Sequence, residues 1–214
     1  MRHARSKNRP ESAFFPACVM AVAMFLCREL RSLARAIRKC AYPFLMVAPA
    51  PMDQLAQRLA DYIRKERDRL LPFATPLLAE DRTVPEGFFE REFLDGVRVV
   101  VGVQVREPAF LRELERFGLP IPSVSLAEAL TLDCLIASNE TLRLHTLVHE
   151  LIHAIQYRAL GIDAFACRYV AEYLSYGYEQ MPLESAATEL AARFVRGEIF
   201  QAESVVAQLL SANP

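Results

Sequence analysis

The chain is poor in the residues that build several common kinds of site. Tryptophan is absent, histidine occurs four times in 214 residues, and the five cysteines form no Cys-x-x-Cys pair. An odd number of unclustered thiols argues against a disulfide framework and leaves most of them the role of small buried hydrophobes. No uncharged run reaches the ~20 residues that a membrane-spanning helix needs. The net charge of the whole chain, −1, argues against a polyanionic partner, and no nucleic-acid motif is present. Repeats and low-complexity tracts are missing too. What is left is a length suited to one globular domain plus an extension, with 53% hydrophobic residues to build a core.

The balanced charge hides an asymmetry. Residues 1–48 carry nine Lys/Arg against two Glu, a net of +7, and the remainder 16 basic against 24 acidic residues, a net of −8. The leader opens on Arg2, Arg5, Lys7 and Arg9, passes through an uncharged apolar run over residues 12–27, and continues as a basic amphipathic stretch to Lys39. Three readings fit. The run with Ala21-Val22-Ala23 resembles a signal segment; residues 13–39 could lie weakly on a membrane surface; or the cellular chain starts at Met46 or Met52. A basic helix straight after a cleavage site is unusual for a secreted protein, so a cytoplasmic or membrane-associated location is expected over secretion. Two regions follow: a leader, 1–48, and a domain, 52–214.

Against that background one pentapeptide stands out: His149-Glu150-Leu151-Ile152-His153. Residues four apart lie about a turn apart on one helix face, so both imidazoles can share one Zn²⁺, and the glutamate between them can take a proton from a metal-held water. A shuffled chain of this composition contains such a pattern less than about 1% of the time. The context is helical. Residues 141–160 contain no Pro or Gly, Gly161 offers a C-cap, and Ser138 or Asn139 an N-cap. Leu144, Leu147, Val148, Leu151, Ile152 and Ile155 make one apolar stripe opposite the two histidines, which therefore face a cleft.

A catalytic zinc site takes three protein ligands and leaves the fourth position open. The other two histidines are His3, in the leader, and His145, one turn before His149 on the wrong side of the pair. No histidine lies downstream, so the third ligand is expected to be a carboxylate. Asp163 follows just past the helix end, Glu172 lies in a second helical stretch, and Glu184 lies at the start of a third, 183–196. There Pro182 marks the helix start, and Ala186, Ala187, Leu190, Ala191 and Phe194 form a small-residue face for close packing. Packing favours Glu184, with Glu172 and Asp163 as the alternatives. An oxyanion formed at such a site needs a further donor. Without another histidine, Tyr178 and Tyr169 are the candidates, whereas Tyr157, Tyr173 and Tyr176 read as packing or surface residues.

These residues also carry a resemblance. His149-Glu150-Leu151-Ile152-His153-Ala154-Ile155-Gln156, then Phe165 with Arg168-Tyr169, then Gly177-Tyr178 and Pro182-Leu183-Glu184 with Ala187, are similar to a group of small bacterial gluzincin-like zinc peptidase domains. The similarity spans about 126–196. It implies Zn²⁺ held by His149, His153 and Glu184, Glu150 as general base and a peptide or protein substrate. One departure concerns support of the ligands. Where many gluzincins place an aspartate four residues after the ligand glutamate, this chain has Thr188, followed by Glu189.

Elsewhere the domain reads as a helix over 53–71 capped by Asp53, with Leu55, Leu59, Tyr62 and Ile63 inward, an alternating strand over 97–105, a short helix over 108–117 and a strand over 130–137 leading into the zinc helix. A few strands and then only helices make an α+β fold, a minimal zincin-like domain with a strand-containing N-terminal lobe and a helical metal-binding half. The expected activity is peptide-bond hydrolysis by a metal-activated water. The alternative is a non-catalytic module that binds a protein partner through the same cleft. A glutamate base is superfluous in a purely structural zinc site, which is usually closed by four protein ligands, and this favours the enzyme. If 130–137 is an edge strand, a substrate chain can add to it as a further strand.

Overall fold

The computed structural model describes residues 51–77, 87–116, 124 and 127–212; the expectations for the leader lie outside them. The described part is α+β. Helix α1 (Pro51–Leu70) is followed by a 3₁₀ turn and the two-residue strand β1 (Thr75–Pro76), then α2 (Arg91–Gly96), β2 (Arg98–Val101), α3 (Ala109–Arg116), β3 (Ala129–Leu132) and β4 (Leu135–Ser138). Four stretches of helix close the chain: α4 (Leu144–Tyr176), a 3₁₀ turn (Tyr178–Gln180), α5 (Pro182–Val195) and α6 (Ala202–Ala212). Among the described residues no helix is long and apolar enough to cross a membrane.

The sheet runs in the order β1-β2-β4-β3. β2 and β4 are parallel, with Val99 opposite Ile136, and β3 is antiparallel to β4, with Thr131 opposite Ile136. Side chains alternate across a strand, so Val99, Ile136 and Thr131 share one face, while Val100, Ala137, Leu130 and Leu132 share the other. The first face packs on the apolar stripe of α4, where Val99 and Ile136 meet Leu147, Val148, Leu151 and Ile152. The second packs on Ile63 and Leu70 of α1. All four residues of β4 are buried because both faces are covered.

The strand expected over 130–137 is a hairpin. It turns at Asp133 and Cys134, and Asp133 takes a left-handed conformation, φ 63°, that a short polar side chain tolerates. The carboxylate is held there by Arg67 Nη1 at 2.7 Å. Among the described residues β3 pairs with β4 alone and is therefore an edge strand. The strand expected over 97–105 is shorter, because Gly102 at φ 76° turns the chain away after Val101.

Helix ends also differ from expectation. α1 begins at Pro51, which puts Asp53 inside the first turn and not at the cap. α4 begins after Arg143, which makes no side-chain cap bond. Ser138 is instead the last residue of β4, its hydroxyl within 2.9 Å of the Glu128 carbonyl and 2.6 Å of the Glu140 carbonyl. Gly161 interrupts α4 at φ 75°, ψ 161°, a backbone state open essentially to glycine alone, and helix resumes at once in a second limb. Gly177 repeats that conformation and sends the chain back through α5, whose buried Ala187, Leu190 and Ala191 pack against the first limb. Two buried alanines on that face let the two helix axes approach closely, which sets the reach of anything α5 carries toward α4.

Candidate metal centre

His149 and His153 leave the first limb of α4 on the side away from the apolar stripe, and Glu184 leaves the first turn of α5 toward them. The two Nε2 atoms are 3.0 Å apart. Glu184 Oε2 lies 3.6 Å from the first and 3.5 Å from the second. A tetrahedral zinc with bonds of about 2.0–2.1 Å has ligand atoms about 3.3 Å from one another. The triangle of 3.0, 3.5 and 3.6 Å therefore fits three of its corners. Two imidazoles and a carboxylate are a donor set that a first-row divalent metal such as zinc accepts. Among the described residues these three form the one group of His, Cys, Asp or Glu with that convergence.

The Glu184 carboxylate favours positive charge on His153. Burial alone would lower the pKa of His153, but the Glu184 carboxylate, with help from Glu150 and Gln156, raises it to about 9. Burial alone would likewise raise that of Glu184, yet the charge of His153 and the approach of both imidazoles hold it far below the carboxylate range. Each group is buried in the charge state that its neighbours stabilise.

Glu150 lies beside the triangle, 6% exposed, with Oε2 2.7 Å from the Thr131 hydroxyl. That hydroxyl is also 3.0 Å from the Glu150 carbonyl oxygen. Thr131 reaches it because the β3 register turns this residue, and not Leu130 or Leu132, toward α4. The Tyr178 hydroxyl donates to Glu184 Oε2 at 3.2 Å. Burial of its hydroxyl end and the adjacent carboxylate push the Tyr178 pKa up, although the residue as a whole is 43% exposed. Tyr169 lines the same cleft.

Of the weighed carboxylates, Glu184 alone joins the histidines. Asp163 is exposed and pairs with Arg64 at 2.5 Å. Glu172 is buried for another purpose: Oε1 accepts Arg168 Nε at 2.8 Å, and Oε2 accepts the Leu183 backbone N–H at 2.8 Å, an otherwise unpaired donor in the first turn of α5. It thereby anchors the turn that carries Glu184. His145 is exposed and outside the group. Thr188 and Glu189 are exposed as well, and Glu189 pairs with Arg196.

The support sought at Thr188 comes from Gln156. His153 Nδ1 lies 2.9 Å from Gln156 Oε1, so the ring donates there and turns Nε2 to the triangle, while Gln156 Nε2 donates to the Leu183 carbonyl at 3.0 Å. One carboxamide, 1% exposed, thus links a histidine on α4 to the backbone of α5. Its sequence signal was the i+3 spacing from His153. The Glu172–Leu183 and Thr131–Glu150 contacts had none, since those partners lie 11 and 19 residues away in the chain. No protein-family model, curated protein or solved structure matches the chain.

Proposed function

We propose that the protein is a zinc-dependent peptidase. The observation that supports this most is the convergence of His149, His153 and Glu184 with a buried glutamate, Glu150, on one cleft. His149, His153 and Glu184 would hold the ion. A bound zinc supplies a water of lowered pKa and polarises a substrate carbonyl. Glu150, oriented by Thr131 through one oxygen, takes a proton from the attacking water at its carboxylate and passes it to the leaving amine. Tyr178 stands on the Glu184 oxygen nearest the histidines, where its hydroxyl can turn to a developing oxyanion. The edge strand β3 borders the cleft through Leu130, Thr131 and Leu132, and a substrate chain paired with it would pass beside Glu150.

Elemental analysis of the full chain, purified without chelator, is expected to return one zinc per chain. Protein that carries none and takes up none on titration defeats the proposal. Replacing Gln156 by alanine is expected to weaken zinc binding about 10–100-fold, because His153 loses the acceptor that fixes its ring. A competition titration against a chromophoric chelator measures it, and an unchanged affinity would assign Gln156 to packing alone.

A further inference from the structure

The residues beyond the metal in the same cleft point to what the substrate must contain, an inference that rests on the peptidase reading. His149, His153 and Tyr157 form a row at four-residue spacing on the first limb of α4, and Phe165, Tyr169 and Tyr173 continue it past Gly161; all six line the cleft. The metal-binding side of the first limb is therefore followed, across the break at Gly161, by an aromatic floor. Tyr157 and Phe165 stack with ring centres 3.7 Å apart, and Phe165 and Tyr169 follow at 5.9 Å.

Leu55, Leu59 and Tyr62 of α1 form the facing wall, with Phe110 and Leu111 of α3. Tyr62 donates its hydroxyl to the Arg106 carbonyl at 2.9 Å and so presents its ring. Glu66, buried on α1, accepts the Arg106 N–H at 2.8 Å and holds the segment leading into α3 against the helix. These wall residues lie outside the stretch that carries the sequence resemblance. The cleft has a volume of about 200 Å³, and among the described residues that line it none is charged apart from His149, Glu150, His153 and Glu184.

We propose that this pocket receives a large apolar side chain, aromatic or long aliphatic, of the peptide whose backbone lies at the metal, and that Leu55 and Leu59 with the Tyr157–Phe165–Tyr169 floor select it. A charged side chain placed there loses its hydration and meets no partner. Glycine leaves the apolar walls wet.

The test separates binding from cleavage. The zinc-loaded full chain bearing Glu150→Gln is titrated with capped octapeptides of alanine and serine that carry Phe, Leu, Gly, Lys or Asp at one central position. Phe and Leu peptides are expected to bind about ten to a hundred times more tightly than the other three. Adding Leu59→Asp should remove that preference and favour the Lys peptide; Leu59→Trp should fill the pocket and favour Gly. Zinc content and melting midpoint show that each variant is folded. Equal binding across the series, a preference for charged peptides, or an apolar preference untouched by both Leu59 variants overturns the proposal. Cleavage by the parent is followed on the same peptides. Apolar preference in binding without any cleavage leaves the pocket standing and defeats the peptidase reading, whereas cleavage indifferent to the central residue does the reverse.

Discussion

Replacing Glu150 by glutamine is expected to lower peptide hydrolysis by about 10²–10⁴ while zinc content and fold persist. The change keeps the size and nearly the shape of the side chain and removes the proton acceptor. Glutamine can still accept the Thr131 hydroxyl hydrogen bond through its carbonyl oxygen, so the 2.7 Å contact that places the side chain can survive. The loss therefore falls on the proton transfer and not on the packing of β3 against α4. Turnover of denatured casein or a quenched peptide, measured beside zinc content on parent and variant, checks it. Equal turnover would show that another group is the base. If neither protein cleaves any peptide of a broad library and both bind the same partner, the chain is a binding module built around a metal cleft.

Replacing Glu184 by alanine is expected to lower zinc affinity by more than the ~10–100-fold that follows loss of a supporting group, since a direct ligand disappears. Two imidazoles, that of His153 buried, lose the carboxylate 3.5–3.6 Å away that stabilises positive charge between them. Asp163→Ala should leave zinc binding unchanged, because Asp163 pairs with Arg64 on the surface. Glu172→Ala should act differently from both. It strands the Leu183 N–H and leaves Arg168 only its bond to the Leu210 carbonyl, costing about 1–3 kcal/mol of stability for the unsatisfied buried donor, and loosens the turn that presents Glu184. Its zinc affinity should fall between the other two. Chelator competition and thermal melts on the three variants separate the effects. Zinc release by Asp163→Ala alone would overturn the assignment of Glu184.

The helices were largely legible from periodicity and punctuation. The stretches expected at 53–71 and 183–196 occur as Pro51–Leu70 and Pro182–Val195, and the end expected at Gly161 is a break in the helix there. Apolar residues at helical spacing have to be buried on one side, so the stripe of α4 told which way His149 and His153 face. The inward residues of α1 were less legible. Ala56, Ala60, Ile63, Glu66 and Leu70 are the buried ones, while Leu55, Leu59 and Tyr62 stay half-buried because they border the cleft. An apolar side chain reads the same in a core and in a binding pocket. The hairpin at Asp133 was hidden for a related reason: residues 129–138 form an almost unbroken apolar run, buried on both faces, with no Asn-Gly or Asp-Gly to mark the turn.

Sequence by itself determined the local chemistry: two imidazoles and a glutamate at helical spacing, a downstream carboxylate on a small-residue helix, and the absence of any further histidine to compete with it. Tertiary structure decided which carboxylate arrives and what supports the site. Glu184, Glu172 and Asp163 are equivalent as ionisable groups. They are told apart by the turn at Gly177 and by the alanines of α5, which bring the first to the histidines, the second under a helix start and the third to a surface arginine. Thr131, Gln156 and the apolar wall of α1 became part of the cleft in the same way. Contacts between residues far apart in the chain depend on how the helices and the sheet pack, and that packing leaves no periodic trace in the sequence.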